Sequence, residues 1–435
     1  MRGNFANVTD NGSLPFLIRA IASSDANNAY VTLAQQSFGL VAQTANQANV
    51  ARGLDAALAN NPQALLVIDN QSNAGIAATL DRVAGQGYAS LADPQLRSGR
   101  AFGSQLLARA YAASTEAGPT GFTLPPTVYA ADMPNRAPVP APRFIETSRG
   151  YGLWATGYGL WATGYGQFGS VDSTANVAGR SETVAGMAGG VDFHPQVGTV
   201  LGIAAGYGSV DVGLNRTGER AHTDNAQVGL YGGVSSGALY ANATVGYAHA
   251  EGRVNRSLGL AQIQAGGAQG KVSGDQFISA GELGYRFAVA QTPVLSPFVG
   301  FQVNTFDQDR VREGSVGPLS LTIAAKDFLS ARTLVGGRLE TATTVLNGRP
   351  VSFWVKAAYV HDFADISRTI GASFTLVPTV PFAVSSRRLA RDRALVGLGV
   401  STELAPGLTG FLGYDAELAS SDTIQAVRGG VRYTF

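Results

Sequence analysis

The chain has 435 residues, of which 14% are charged and 45% hydrophobic, with a formal net charge of +1 and no cysteine. That balance gives no electrostatic case for a nucleic-acid partner, and the missing thiols exclude disulfides and zinc-thiolate sites. No run of about 18 apolar residues exists, which excludes a transmembrane helix but not membrane-crossing strands, whose residues alternate.

Glycine is 55 of the 435 residues, well above the usual share of about 7%. A Gly-rich, charge-poor, moderately apolar chain fits a lipid-facing sheet, and also a secreted β-solenoid. Met1-Arg2-Gly3-Asn4 leads into no apolar run with a small-residue cleavage site, so it does not read as a signal peptide. Residues 1–43 are polar with short apolar runs such as Tyr30-Val31-Thr32-Leu33, which suits the last rungs of a β-helix. Thr44 is placed to cap a helix in which Val50, Leu54 and Leu58 recur at four-residue spacing. Pro62 and Asp69-Asn70-Gln71-Ser72-Asn73 punctuate it, and Phe102, Leu106 and Leu107 mark a second amphipathic helix. Pro119, Pro125, Pro126, Pro134, Pro138, Pro140 and Pro142 follow. Interior prolines each cost a helix about 3 kcal/mol, so residues 116–149 read as an extended linker. At about 3.3 Å per residue such a linker would cross a hydrocarbon core of roughly 30 Å.

Tyr151-Gly152-Leu153-Trp154-Ala155-Thr156-Gly157 is repeated at once as Tyr158-Gly159-Leu160-Trp161-Ala162-Thr163-Gly164. An odd repeat flips the faces of a strand, so one copy is expected to lie outside regular pairing, below the first strand. From about residue 150 the pattern is strict alternation. Leu239, Ala241, Ala243, Val245 and Tyr247 interleave with Tyr240, Asn242, Thr244, Gly246 and Ala248. Phe277, Leu283, Tyr285 and Phe287 alternate with Ile278, Ala280, Glu282, Gly284 and Arg286. Further on, Val335, Gly337 and Leu339 alternate with Arg338 and Glu340, and Phe353, Val355 and Tyr359 with Trp354 and Lys356. The aliphatic face suits lipid and the small or charged face a lumen, with Glu282, Arg286, Arg338, Glu340 and Lys356 forming a hydrated polar network. A soluble β-sandwich would alternate too.

Loop lengths separate the two. Strands are expected near 151–166, 182–194, 199–210, 223–235, 238–251, 274–289, 293–305, 332–344, 350–362, 393–404, 408–418 and 424–435. Short turns such as Ser235-Ser236-Gly237 and Ala405-Pro406-Gly407 alternate with long gaps near 252–273, 306–331 and 363–392. All the long loops at one end is the outer-membrane pattern. The fold class expected is therefore all-β: a twelve-stranded antiparallel transmembrane barrel preceded by a small helical junction. The last strand places Val427, Gly429, Val431, Tyr433 and Phe435 on one face. That pattern, ending in an aromatic, resembles the signal read by the bacterial barrel-assembly machinery, with Val427, Val431, Tyr433 and Phe435 as its residues.

Several segments together resemble the autotransporter, or type V secretion, family. Thr44-Ala45-Asn46-Gln47-Ala48-Asn49-Val50-Ala51 with Leu54-Asp55 is similar to the helical motif between passenger and barrel, and Leu80-Asp81-Arg82-Val83-Ala84-Gly85-Gln86-Gly87-Tyr88-Ala89-Ser90-Leu91 to the next helix and turn. Gly229-Leu230-Tyr231-Gly232-Gly233 with Tyr240-Ala241-Asn242 is similar to a recurrent barrel hairpin. The resemblance spans roughly residues 44–435. It implies a barrel in the bacterial outer membrane that exports the attached passenger to the cell surface. The implied partners are outer-membrane lipid, the assembly machinery and the chain's own passenger, with the barrel a monomer. The division expected is a passenger remnant (1–43), a helical junction (44–115), a Pro-rich linker through the pore (116–149) and the barrel (150–435). The chain is then a fragment of a longer protein. The alternative is a self-standing porin or adhesin-like barrel with a periplasmic N-terminal region.

Catalytic and metal chemistry find little support. His194, His222, His249 and His361 are far apart, with no metal-ligand spacing, and no cofactor is expected. Gly233-Val234-Ser235-Ser236-Gly237 matches a nucleophile elbow by letters, but that elbow needs a strand-to-helix turn and strands flank this one. Asn60-Asn61 is similar to the paired asparagines at which some family members cleave themselves, but it precedes Pro62 and reads as a helix end.

Overall fold

The computed structural model describes residues 8, 11–60, 68, 71–116, 157–259, 267–288, 293–314, 317–346 and 349–435. The Pro-rich stretch after residue 116 and the first copy of the heptapeptide, up to residue 156, lie outside the described residues. In chain order the N-terminal elements are β1 (Ile18–Ser24), β2 (Ala29–Gln35), α1 (Ala45–Asn60), α2 (Asn73–Val83) and α3 (Gln86–Glu116). Then come β3 (Tyr158–Val171), β4 (Arg180–Gln196), β5 (Thr199–Leu214), β6 (Arg220–Ser236), β7 (Leu239–Arg256) and β8 (Ala268–Tyr285), which β9 (Phe287–Ala288) continues. The rest are β10 (Val294–Gln308), β11 (Val311–Gly314), β12 (Leu321–Ile323), β13 (Lys326–Leu346), β14 (Arg349–Asp362), β15 (Thr369–Phe374), β16 (Phe382–Ser385), β17 (Asp392–Ala405), β18 (Leu408–Leu418) and β19 (Asp422–Thr434).

Twelve of these, β3–β8, β10, β13, β14 and β17–β19, close an antiparallel barrel. The seam is β19 against β3, from Asp422↔Val171 to Thr434↔Gly159. It is finished by a reciprocal backbone pair between Tyr158 and Phe435, each N–H donating to the other's carbonyl at 3.1 Å. The rings of Tyr158, Phe435 and Tyr433 stack in a row beside it. The second heptapeptide copy thus opens the first strand, and its Trp161 turns inward and is buried. Tight turns at Gly198, Gly237 and Gly407 use positive φ, the conformation that two-residue hairpins need.

The two faces follow the alternation. Leu239, Val245 and Tyr247 are exposed while Tyr240, Asn242, Thr244 and Ala248 are buried. On β7 the apolar outward residues run from Leu239 to Tyr247, about 27 Å along the strand, and at the usual tilt this covers roughly 20 Å of bilayer. Beyond Tyr247 the outward face turns to His249, Glu251 and Arg253, and the strands project above the lipid. Their upper ends extend past the expected limits, with β13 starting at Lys326 rather than near 332. There polar residues such as Asp307, Asp327 and Asp392 appear on the outward face, so the hydrophobic contrast fades.

The end with the long loops carries a cap. β11, β12, β15 and β16, none of them expected, form a small antiparallel extension of the wall. α1 and α2 pack onto it around Leu54, Ile76, Leu80, Leu321, Phe374 and Phe382. Thr44 accepts from the Gln47 N–H at 3.3 Å, which is the expected cap of α1. Asn46 ties the cap to two outer loops: its N–H donates to Asn176 Oδ1 (2.8 Å), its amide donates to Ser385 O (3.0 Å), and its Oδ1 accepts from Ser385 N–H (3.0 Å). The expected β-helix end over residues 1–43 is corrected here. β1 and β2 pair antiparallel, from Ile18↔Gln35 to Ser24↔Ala29, whereas rungs of a parallel β-helix pair side by side in one direction. Asn46→Ala should loosen the cap by about 1 kcal/mol, since it leaves part-buried backbone groups of Ser385 and Asn176 without their partner. Limited proteolysis of the folded protein should then release fragments from residues 11–83 while the barrel band persists.

Candidate functional site

A 31-residue helix, α3, occupies the barrel lumen. At about 1.5 Å per residue it is roughly 46 Å long, enough to run from one mouth to the other. It begins at the long-loop mouth. Gly85, at φ +74°, ends α2 in a left-handed turn of the kind glycine favours after a helix. The first N–H groups of α3 then meet Glu219, which accepts from Gly87, and Gln86 accepts from the Ala178 N–H at 3.0 Å. The helix ends at the short-turn mouth, where Ser235 Oγ donates to Ser114 O (2.7 Å) and Arg286 to Thr115 O (3.5 Å). Short turns mark the periplasmic side of an outer-membrane barrel. The described residues before α3 therefore stand on the outer side, and α3 ends at the periplasmic mouth where β3 begins.

This corrects the assignment of the pore segment. The crossing is made by residues 86–116, which were expected in a junction outside the barrel. Glu116 and Gly157, which flank the Pro-rich stretch, stand at the same mouth; the stretch expected to thread the pore lies outside the described residues.

Two kinds of contact hold the helix. The first is steric. Phe102 is buried against glycines of the wall: a Cβ at Gly206 would lie 2.8 Å from its ring, and one at Gly229 3.1 Å. Gly229 and Gly246 face each other across β6 and β7, so the missing side chains make a hollow for the ring. On another side the helix contributes the glycines, with Gly99 and Gly103 lying close against Ile278.

The second is ionic, in tiers along the helix. At the outer end, Arg256 makes a bidentate pair with Glu313 (2.7 and 2.5 Å), which also accepts from Tyr88 (2.9 Å). About two turns below the start of α3, Asp93 pairs with Arg368 (2.8 Å) and Arg180 (3.4 Å). Arg97 pairs with Glu182 and with Asp422 (3.2 Å), which also holds Arg393 (2.6 Å). In the lower half Arg109 grips Asp192 bidentately (2.6 and 2.9 Å); Tyr231 donates to the same carboxylate (2.7 Å), and Trp161 donates to Tyr231 (2.7 Å). Breaking one partner of such a buried pair costs about 3–5 kcal/mol, because the other charge is stranded.

All five expected lumen residues face inward, but they meet a helix instead of forming only a hydrated lining. Arg338 lies 4.0 Å over the Tyr111 ring and 3.4 Å from Glu282, which accepts from Tyr240 (2.8 Å); Tyr111 donates to Glu340 (2.6 Å). Arg286 reaches the end of α3, and Lys356 pairs with Asp415 at 2.8 Å, over Gly397 of the strand between them. Sequence reasoning missed Asp192, Glu182, Asp422, Arg97 and Arg109. The usable signal was three arginines, at 97, 100 and 109, in a Gly/Ala-rich stretch upstream of a barrel with lone inward carboxylates. The expected C-terminal residues Val427, Val431, Tyr433 and Phe435 are all outward-facing and exposed. Ser235 lies in the β6–β7 hairpin. His361 bonds outward to Asp392 at 2.6 Å across two strands.

A twelve-stranded barrel with an apolar outer belt and a helix held through its lumen defines a translocator-type outer-membrane barrel. The sequence matches the Autotransporter beta-domain family over residues 160–415, and the chain belongs to that family. In fold it is similar to the translocator domain of the autotransporter NalP from Neisseria meningitidis, at 16% identity and a TM-score of 0.51, over 64% of this chain and 88% of that one. The β-domain of the Bordetella autotransporter BrkA (18% identity, TM-score 0.46, 63% and 98% covered) and the transport unit of AIDA-I from Escherichia coli (14%, 0.47, 66% and 94%) also match. No curated protein matches the sequence.

Two outcomes follow. Gly229→Leu fills the hollow of Phe102, an overpacking that should cost about 1–3 kcal/mol. The expected result is a barrel that remains heat-modifiable but conducts ions more than the parent in planar bilayers, as the helix is displaced. Glu219, above the lipid, is pushed up to about 7 by burial, against the pull of Arg256. An acid raised in the folded state stabilises it fully below its unfolded value of about 4.5, and that stabilisation is lost as pH rises to about 7. The melting midpoint should therefore fall between pH 5 and pH 8, and Glu219→Gln should flatten this fall.

Proposed function

We propose that this barrel carries the residues preceding α3, and whatever passenger they bear, from the periplasm to the cell surface. The observation that supports this reading is the polarity of α3, with its N-terminal end at the long-loop mouth and its C-terminal end at the short-turn mouth. A chain left in that orientation has its N-terminal part outside. In this reading α3 is the last segment to enter, and its ion pairs close the pore once the passenger has passed. The cap over the outer mouth, tied down by Asn46 and the Leu54–Phe382 cluster, folds outside and opposes back-sliding. The barrel acts as a monomeric conduit in outer-membrane lipid and not as an enzyme. Val427, Val431, Tyr433 and Phe435 serve the barrel-assembly machinery as a docking strand.

The test places a signal peptide and an epitope tag before residue 1 and adds protease to intact cells. Removal of the tag, with the barrel still heat-modifiable, is the expected result. A tag that survives until the cells are opened would overturn export and favour a barrel with a periplasmic N-terminal region.

A further inference from the structure

α3 does not fill the lumen evenly. In its lower half it packs against the wall of β4–β8 through Phe102, Gly103 and Arg109, and stands off from β14, β17, β18 and β19. Between helix and far wall, toward the periplasmic mouth, lies a cavity of about 410 Å³. Among the described residues lining it, six are basic, Arg109, Arg286, Arg338, Lys356, Arg428 and Arg432, and one, Glu340, is acidic. Asp192, Glu282 and Asp415 answer Arg109, Arg338 and Lys356, and Arg432 is engaged as well. Arg428 instead sits 5.3 Å over the ring of Trp354, with Lys356 at 5.7 Å from the same ring. The Arg286 Nε is buried without a hydrogen-bond partner.

Space for these groups comes from the wall. Side chains at Gly399 and Gly413 would run into Trp354, at 2.5 and 3.1 Å. Above the cavity the passage narrows to a second space of about 100 Å³, where Arg332 and Glu417 pair at 2.8 Å. The Arg97–Glu182–Asp422–Arg393 tier lies above that. The wide cavity therefore narrows sharply toward the surface.

A low-dielectric pocket lined mainly by one sign of charge concentrates counter-ions. Guanidinium groups are weakly hydrated and match carboxylate and phosphate geometry. We propose that this space is an anion-binding vestibule, entered from the periplasmic mouth, for small inorganic anions and carboxylates.

The test uses the full chain in detergent, with Trp154→Phe and Trp161→Phe leaving Trp354 as the reporter. Trp354 fluorescence is quenched with iodide, caesium or neutral acrylamide at matched ionic strength. Each quenching constant is divided by that of free tryptophan amide in the same salt; on this normalised scale iodide should exceed caesium at least about threefold, as a cationic vestibule requires, and added phosphate or acetate should reduce the iodide effect. Arg428→Gln, which breaks no carboxylate pair seen here, should bring the two ions toward parity; Lys356→Gln gives a second variant, and heat-modifiability checks that each is folded. Equal normalised quenching by iodide and caesium in the parent would overturn the proposal. So would quenching by acrylamide alone, or an iodide preference unchanged in both folded variants.

Discussion

The charge of Asp192 sits on the inner face of a barrel whose outer face meets lipid, and Arg109 answers it from the helix inside. An ionised carboxylate in such a place is costly unless a cation and further donors surround it. Here Arg109, Tyr231 and His194 all reach it. The same requirement repeats at Glu182 and Asp422, so the barrel wall and the helix complete each other. The helix in turn fixes the polarity of the molecule, and that polarity places the cap on the outer side.

Glycine sets how closely the two parts approach. In eight-stranded barrels the lumen is narrow enough to be filled by wall side chains, but twelve strands leave more room. Here the wall gives up side chains at Gly206, Gly229 and Gly246 and accepts one ring, Phe102, in their place. Where the helix comes nearest, at Gly99 and Gly103, the wall keeps its larger residue, Ile278. The space left over lies on the opposite side, where Trp354 and the arginines stand off from the helix.

The barrel was largely legible in the sequence, because a wall between lipid and lumen imposes a two-residue period wherever lipid is present. The inward Glu282, Arg286, Arg338, Glu340 and Lys356 and the outward terminal strand follow from that period, whereas the first strand, expected at 151–166, begins at Tyr158. The upper strand ends and the short strands β11, β12, β15 and β16 escaped it, since above the lipid both faces are polar or buried under the cap. The pore helix was legible only as an amphipathic fragment around Phe102, Leu106 and Leu107. Its neighbours are charged and glycine-rich walls, so it has no apolar stripe wide enough to read, and Pro94 inside it argues locally against continuity. Packing and ion pairs along its whole length override that local preference. The conspicuous prolines after residue 116 drew the pore assignment toward themselves, while α3 had already made the crossing.

The tiers of ion pairs also bear on force. A pull on the N-terminal end from outside the cell acts along the axis of α3 and loads the pairs at Asp93, Arg97 and Arg109 in parallel, in shear. Many bonds loaded together resist sliding far better than the same bonds opened one at a time. Phe102, seated across the pull in its glycine hollow, adds a mechanical detent. The helix that seals the barrel is thus also a tether, and whatever it holds at the surface is anchored by the strength of the lumen.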